Sequence, residues 1–201
     1  MTVVRYRRSF LLLLIFSASL LAHGQQMQFQ IDPAQSKVDF VLGDILHTVR
    51  GTFDLKPTTI YFDPQSGAAS GAFVVDATSG NSGSKGRDKK MHKEVLESAK
   101  FPEIRFTVQR FKGTLSVNGT AQVEMTGIMN LHGGEHVVTV AAPVQVANGR
   151  ASADVHFVVP YVQWGLKNPS TFVLRVNDRV DIVVRATGLV TTVASARTGQ
   201  H

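Results

Sequence analysis

GRDKKMHKEVLESAKFPEIRF, residues 86–106, is the stretch of the chain whose pattern differs most from its surroundings. Apolar residues such as Met91 and Leu96 recur here at helical spacing, and lysines and glutamates fill the opposite side. Asp88 is a residue type that favours a helix N-cap. The sequence therefore predicts one amphipathic helix near residues 88–99, inserted between segments of another kind.

Those flanking segments are typical of β-strands. In SKVDFVLG, residues 36–43, apolar and polar residues alternate, so that Val38 and Phe40 fall on one face. The Asn-Gly pairs 118–119 and 148–149 stand between alternating runs, which is a strong hairpin signal. About eight to ten short strands joined by turns predict an all-β antiparallel fold, either a sandwich or a closed barrel.

The N-terminus is typical of a secretory signal. Three arginines precede an apolar run of about a dozen residues, which is too short for a membrane anchor of roughly 17–25 residues. Small residues then predict cleavage after Gly24. We expect residues 1–24 to be the signal peptide and the mature protein to be periplasmic or secreted.

The remaining chain is expected to form one domain, residues 25–190, followed by a disordered tail, residues 191–201. The chain has no cysteine, so an apolar core must hold the fold after export. The net charge of +6 falls to +3 without the three signal-peptide arginines, which is too little to indicate nucleic-acid binding. A modest basic patch is compatible with an anionic head group or with peripheral membrane contact.

The segment HGGEH, residues 132–136, matches the H-x-x-E-H signature of one class of zinc proteases. That chemistry needs a helix, on which His132 and His136 share one face and bind zinc while Glu135 activates water. The two central glycines disfavour a helix, and both flanks are strand-like. We therefore predict a hairpin turn, no metal site and no cofactor.

No combination of nucleophile, base and orienting group is evident, so no catalytic residue is predicted. His92 falls on the inward side of the predicted helix, where a packed histidine is the simpler interpretation and a ligand contact the alternative. Arg87, just before the predicted N-cap, would suit an anion. In a closed sheet, apolar residues either fill the interior or line a cavity. The candidates are Phe40, Phe53, Phe73, Met91, Leu96, Phe106, Phe157, Tyr161 and Trp164.

Four segments in this order resemble the YceI-like family of polyisoprenoid-binding proteins. They are FQIDPAQSKVDF (29–40), HTVRGTF (47–53), the helical stretch 86–106 and WGL with VNDRVDIVV (164–166 and 176–184). The resemblance implies a lipocalin-like antiparallel barrel of about eight strands with an inserted helix. It also implies a long isoprenoid chain held in an elongated cavity, without catalysis.

Individual residues also match the family pattern or depart from it. The residues that match the family pattern are Asp32-Pro33, Ser36, His47, Gly51, the Arg87-Asp88 pair and Phe101-Pro102. This adds His47 and Asp88 to the candidate ligand-binding residues. The chain departs from the pattern at Gln35 and Lys90, where histidines are usual, and at Tyr161 and Gln163, which replace an arginine and an aspartate.

The function expected from these observations is non-covalent binding of a long apolar chain, a polyisoprenoid, inside an exported barrel. Three alternatives stay open: a structural or stress-response barrel without a dedicated ligand, a carrier of another lipid such as a fatty-acid amide or quinone, and a zinc-dependent hydrolase. The expected partners are an isoprenoid or similar lipid and no nucleic acid. Peripheral membrane contact and a homodimer are further options.

Overall fold

A computed structural model of the chain describes residues 26–43, 48–116, 118–171 and 175–193. The predicted signal peptide and His47 lie outside the described residues. The strands in chain order are β1 (Met27–Ile31), β2 (Lys37–Gly43), β3 (Thr48–Leu55), β4 (Thr59–Phe62), β5 (Ala69–Ser70), β6 (Ala72–Asn81), β7 (Glu103–Lys112), β8 (Gly119–Leu131), β9 (Gly134–Ala147), β10 (Arg150–Val159) and β11 (Val180–Thr192).

Eight strands form a closed antiparallel ring, which confirms the predicted fold class. The order around the ring is β11, β2, β3, β6, β7, β8, β9 and β10, and β10 then pairs back to β11. β8 has 13 residues, so at a rise of about 3.4 Å per residue it extends for about 44 Å. The ring is therefore elongated along its strands.

Two strands share the same edge of β11. The first half of β11, Asp181–Arg185, pairs with β2, and the second half, from Gly188 onward, pairs with β1. Between β1 and β2 the chain bends through a 3₁₀ turn at Pro33–Gln35, where Asp32 accepts a hydrogen bond from the Ala34 N–H. The Ser36 hydroxyl and the Thr187 backbone bond to each other across this bend. β1 continues the sheet through β4 and β5.

The helix begins and ends earlier than the sequence predicted. An α-helix, α1, covers Lys85–Lys90 and continues as a π-helical turn over Met91–Val95. Asp88 is therefore not the N-cap, which is Ser84. The helix stops before Ala99 because Glu97 has a left-handed backbone, with φ 45°, which turns the chain away from the helix axis.

Two of the predicted turns are present as two-residue hairpins. The prediction of such a turn at Asn118-Gly119 is wrong, because Gly119 is already the first residue of β8 and pairs with Val146. His132 and Gly133 join β8 to β9 with φ values of 54° and 79°, so HGGEH is a hairpin turn as predicted. Asn148 and Gly149 join β9 to β10 with φ values of 52° and 74°. Positive φ at both central residues matches the twist of a two-residue hairpin, and glycine adopts it without strain.

The barrel extends slightly beyond its predicted end. β11 continues to Thr192, so it includes two residues that the sequence analysis assigned to the C-terminal tail. Among the described residues, the helices are too short or too polar to cross a bilayer.

Candidate functional site

The ring encloses an elongated cavity of about 410 Å³. Alternate residues along each strand form its wall, because successive side chains point to opposite faces of a sheet. The apolar lining runs from Leu42 and Leu96 at the helix end to Phe62, Phe111 and Val144 at the other end. The volume and the apolar wall are typical of a small-molecule site.

Most polar lining residues lie at the helix end, with Ser152 of β10 as an exception. We call this end the mouth, and it is formed by Ser82, Arg87, Lys90, Pro169 and Thr171. At the opposite end, residues such as Val123 and Val146 form an apolar cluster in which two phenylalanine rings pack together. These are Phe62 and Phe111, with centroids 4.7 Å apart. The cavity therefore has one polar and one apolar end.

Nine predicted site residues line this cavity. They are Phe40, Phe53, Phe73, Arg87, Met91, Leu96, Phe106, Phe157 and Tyr161. Three others, Asp88, His92 and Trp164, are not among the lining residues. That the nine residues bind a ligand stays a prediction, and so does the role of His47, which lies outside the described residues.

Arg87 lies in α1 and is exposed at the mouth, not in the preceding loop as predicted. Its Nη2 donates to the Ser82 carbonyl oxygen at 3.1 Å, and its Nε donates to Ser82 Oγ at 3.3 Å. These two bonds fix the direction of the side chain. A guanidinium group has five N–H donors, so donors remain for an anion at the mouth.

Asp88 supports the start of the helix and does not contact the cavity. Its Oδ1 accepts hydrogen bonds from Ser82 N at 2.8 Å and from Ser82 Oγ at 2.6 Å. The Ser82 hydroxyl is the main cause that lowers the pKa of Asp88. Because the Ser82 side chain also accepts from Arg87, the Arg87-Asp88 pair holds one serine from both sides.

Two contacts join the helix to the loop that follows β10. Lys90 Nζ donates to the Pro169 carbonyl oxygen at 2.7 Å, and Lys167 Nζ donates to Glu94 Oε2 at 2.9 Å. The Lys167 hydrogen bond and charge lower the pKa of Glu94. Together the contacts hold the helix over the mouth from the opposite rim.

His92 is a packed histidine, the simpler of the two interpretations from sequence. Its Nε2 lies 2.9 Å from the Gly80 carbonyl oxygen and its Nδ1 lies 3.0 Å from Ser98 Oγ. Because a carbonyl can only accept, Nε2 carries a proton, and Nδ1 pairs with the Ser98 hydroxyl. Both ring nitrogens are used inside the fold and His92 does not line the cavity, so its contact with a ligand stays a prediction without support from this arrangement.

The expectation that Trp164 lines the cavity is wrong. Its indole stacks on the His136 ring, with centroids 4.0 Å apart and planes 5° apart. The loop after β10 turns the indole toward the start of β9, and the ring packs against the apolar cluster that includes Val140 and Val155. Tyr161 in the same loop is buried, and its hydroxyl donates to the Asn177 carbonyl oxygen at 2.7 Å.

The HGGEH side chains do not converge. His132 Nε2 lies 2.6 Å from Glu97 Oε2, while His136 stacks on Trp164. Glu135 is exposed on β9. Within the described residues, no group of three or more histidines, cysteines, aspartates or glutamates is placed to hold a metal ion.

Sequence analysis missed several lining residues, and Phe111 shows why. Ile104, Phe106 and Val108 alternate on the inner face of β7, but a β-bulge follows between Val108 and Arg110. The extra residue shifts the alternation by one, so Phe111 also points inward. Strict alternation would place it outside. Lys90 was missed because it was assigned to the outward side of the helix.

The YceI-like domain family matches residues 29–188 of this chain. No curated protein sequence matches this chain. Three solved structures are similar. Burkholderia cenocepacia BcnA is 20% identical with a TM-score of 0.65, covering 79% of this chain and 99% of its own. A polyisoprenoid binding domain from Saccharophagus degradans, described as implicated in plant cell wall breakdown, is 18% identical with a TM-score of 0.65, covering 81% of this chain and 98% of its own.

The Campylobacter jejuni YCEI protein is 16% identical with a TM-score of 0.57, covering 75% of this chain and 88% of its own. At these identities the structures support the fold alone. The family match spans nearly the whole described barrel, from β1 into β11. This chain belongs to the YceI-like domain family.

Proposed function

We propose that this protein binds one long apolar chain, a polyisoprenoid, non-covalently and without chemical change. The observation that carries the proposal is the shape and polarity of the cavity, which is elongated, apolar along its wall and polar at the mouth. A prenyl chain with a polar head is likewise apolar along its length and polar at one end. Its chain would follow the wall toward Phe62 and Phe111, and its head would lie near Arg87 and Lys90.

The binding energy would come mainly from the chain. Removing apolar groups from water contributes about 0.8 kcal/mol per buried CH₂, so a long chain needs few polar contacts. The head contacts would set orientation and selectivity. Arg87 is suited to an anionic head because its guanidinium is already oriented by Ser82.

The choice of a polyisoprenoid follows the description of the Saccharophagus degradans neighbour, which has the same fold, as a polyisoprenoid binding domain. We further propose that the protein is exported and acts in the periplasm or outside the cell. The basis is the basic and apolar N-terminal sequence. Edman sequencing of the mature protein from the periplasmic fraction should then start at Gln25, and an intact N-terminus in the cytoplasm would refute export.

The ligand proposal is tested by solvent extraction of natively purified protein followed by mass spectrometry. We expect an apolar compound of defined mass, close to one per chain. Ala153→Trp should abolish it, because Ala153 lines the cavity and an indole there would fill it. Ala147→Trp is the matched control, since Ala147 is exposed on β9. Protein without an extractable compound, and without affinity for added prenyl alcohol, would contradict the proposal.

A further inference from the structure

We propose that the cavity has a second opening for apolar chains, a side entrance between β9 and β10 that the indole of Trp164 closes. We call the unpaired region between these two strands the seam. It is formed by Gly134–Pro143 of β9 and Asp154–Val159 of β10. The inference rests on the proposed function, since it concerns how a long apolar chain reaches the cavity.

The seam is a gap in the hydrogen-bonded ring. β9 and β10 pair only where Val144–Ala147 meet Arg150–Ala153. Beyond that point, within the described residues, β9 pairs with β8 and β10 pairs with β11, but the two do not pair with each other. Most other neighbours in the ring are joined by longer ladders, although in the described part of the chain β6 is unpaired with β7 beyond Asp76 and meets β3 at a register shift. The seam can therefore widen without breaking a ladder.

The place where the strands separate follows from the sequence. Pro143 comes directly before Val144, which is the first residue of β9 that pairs with β10. Proline has no N–H to donate to a ladder, so it favours the end of pairing at an edge. On the other side β9 stays paired with β8 through Pro143 and onward to Gly134.

Trp164 fills the seam between the cavity wall and solvent. The indole packs against the cluster that contains the lining residues Val140, Val155 and Phe157, yet it is itself partly exposed and does not line the cavity. Its ring stacks on His136 near the start of β9. Removal of the indole would leave the two strands facing each other across an opening.

Among the described residues, the indole of Trp164 is held to β9 by ring packing and not by a hydrogen bond. The bonds that hold its loop, such as Trp164 N to Pro160 O within the loop and Lys167 Nζ to Glu94 at the helix, do not involve β9. His136 Nε2 is buried and has no hydrogen-bond partner in the described residues. A swing of the indole would thus break an aromatic stack but no hydrogen bond to β9, and it would let water reach His136.

The β9 rim of the seam is apolar, whereas the exposed side chains of β10 there include Asp154 and His156 beside Val158. Val137 on β9 is 77% exposed and Val158 on β10 is 48% exposed, which makes them two of the most exposed large apolar residues described. Thr139, Ala141 and Pro143 continue the exposed face of β9 without charge. An apolar chain that arrives at this side meets no charged group on β9 between Val137 and Pro143.

The test measures rates separately from affinity, with all-trans-retinol as a fluorescent neutral isoprenoid probe in stopped flow. In Trp164→Ala both association and dissociation should rise by about tenfold while Kd changes much less, because a removed gate alters the path and not the bound state. Tyr61→Ala, which removes another partly exposed aromatic ring, is the matched control and should leave both rates unchanged.

A second arm closes the seam and keeps Trp164. Continuing the register from Ala153 and Val144 would place Thr139 opposite Val158, and both residues face outward. Since the chain has no cysteine, Thr139→Cys with Val158→Cys can be joined selectively by a short bis-maleimide. We expect the joined protein to load and release retinol at least about tenfold more slowly at similar Kd.

Unchanged rates in the joined protein would overturn the side entrance even if Trp164→Ala failed to fold. They would indicate that the chain enters the cavity at the mouth. Intact equilibrium binding would in that case leave the proposed function standing. If the native protein bound neither retinol nor any extractable chain, the proposed function would fail first, and the side entrance with it.

Discussion

The ring of His92 joins the helix to the barrel wall through Gly80, whose carbonyl oxygen lies 2.9 Å from Nε2. The same ring reaches Ser98 at 3.0 Å, where the chain leaves the helix. Ser98 is only 5% exposed, so its hydroxyl depends on this partner. One histidine thus fixes the helix to β6 and to its own C-terminal turn.

His92→Phe should destabilise the protein by about 2 kcal/mol, because it keeps an aromatic ring but leaves a carbonyl and a hydroxyl without their partner. Urea unfolding measures the change. His156→Phe, on the exposed face of β10, is the control and should change the free energy of unfolding little. A similar cost at both positions would mean that the His92 hydrogen bonds are not what matters.

A structural feature can be predicted from the sequence more easily when the residues that determine it are close together in the chain. The Asn148-Gly149 turn was predicted from two adjacent residues, although the same pair at 118–119 does not form a two-residue turn because Gly119 pairs within β8. The helix limits were missed because they depend on Ser82 holding Asp88 and on the left-handed Glu97. Asp88 is a residue type that suits an N-cap, but in the folded chain its side chain accepts hydrogen bonds from Ser82.

The candidate site was predicted least well where tertiary structure decides which way a side chain points. Phe106 follows plain alternation and lines the cavity, but Phe111 does so only because of a bulge that no residue type announces. Trp164 was assigned to the cavity from its aromatic character. Its true position depends on β9 and β10 separating, which requires knowledge of the strand pairing.

Gly51 provides the space for Phe40, and its replacement tests this packing. The two residues are paired in register on β2 and β3, and a Cβ on Gly51 would overlap the Phe40 ring and the Asn81 carbonyl oxygen. We expect Gly51→Ala to cost about 1–3 kcal/mol through overpacking. Phe40→Leu should recover part of that loss, measured as a coupling free energy in a double-mutant cycle.

Gly86→Ala is the matched control for this change, since Gly86 lies in α1 and a Cβ added there would meet nothing within 4 Å. There alanine should stabilise the protein by up to about 1 kcal/mol through helix propensity. Equal destabilisation by both substitutions would show that Phe40 is not the cause.

Tyr161 should make stability depend on pH in the alkaline range. Burial raises the pKa of Tyr161 to about 12, and the negative charge of Asp178 adds to this effect. The raised pKa means that the folded state favours the protonated hydroxyl. Its contribution is therefore fully present below the ordinary pKa of 10.0 and is lost as the pH rises toward 12.

Tyr161→Phe should cost about 1 kcal/mol at pH 7, because the hydrogen bond to Asn177 O is lost. The difference from the native protein should shrink between pH 10 and pH 12, where only the native protein has this group to titrate. Urea unfolding at several pH values measures it, with Tyr61→Phe as the control for loss of a tyrosine hydroxyl. A difference that stays constant with pH would contradict the assignment.

Glu135→Gln should leave stability and bound lipid unchanged. Glu135 is exposed beside the hairpin turn, and the two histidines of HGGEH have separate partners, Glu97 and Trp164. Metal analysis of the purified protein completes the test. Stoichiometric zinc that disappears in the double variant His132→Ala, His136→Ala would show that the hydrolase interpretation is correct after all.

The mouth should distinguish prenyl ligands by the charge of their head. Arg87→Ala removes an oriented guanidinium, so binding of geranylgeranyl phosphate should weaken by about tenfold, while binding of geranylgeraniol should stay nearly the same. Lys89→Ala is the matched control, because it removes an equal charge from the same helix at a position that does not line the cavity.

Titration of both ligands at two salt concentrations separates the two kinds of contact. Attraction between exposed charges is screened by salt, so the advantage of the phosphate should fall at high ionic strength in the native protein and be nearly absent in Arg87→Ala. Burial of the chain does not depend on this charge, and geranylgeraniol should respond far less. If Arg87→Ala weakened both ligands equally, the residue would act through Ser82 and the helix start, and the head group would have to be recognised elsewhere at the mouth, with Lys90 as the next residue to replace.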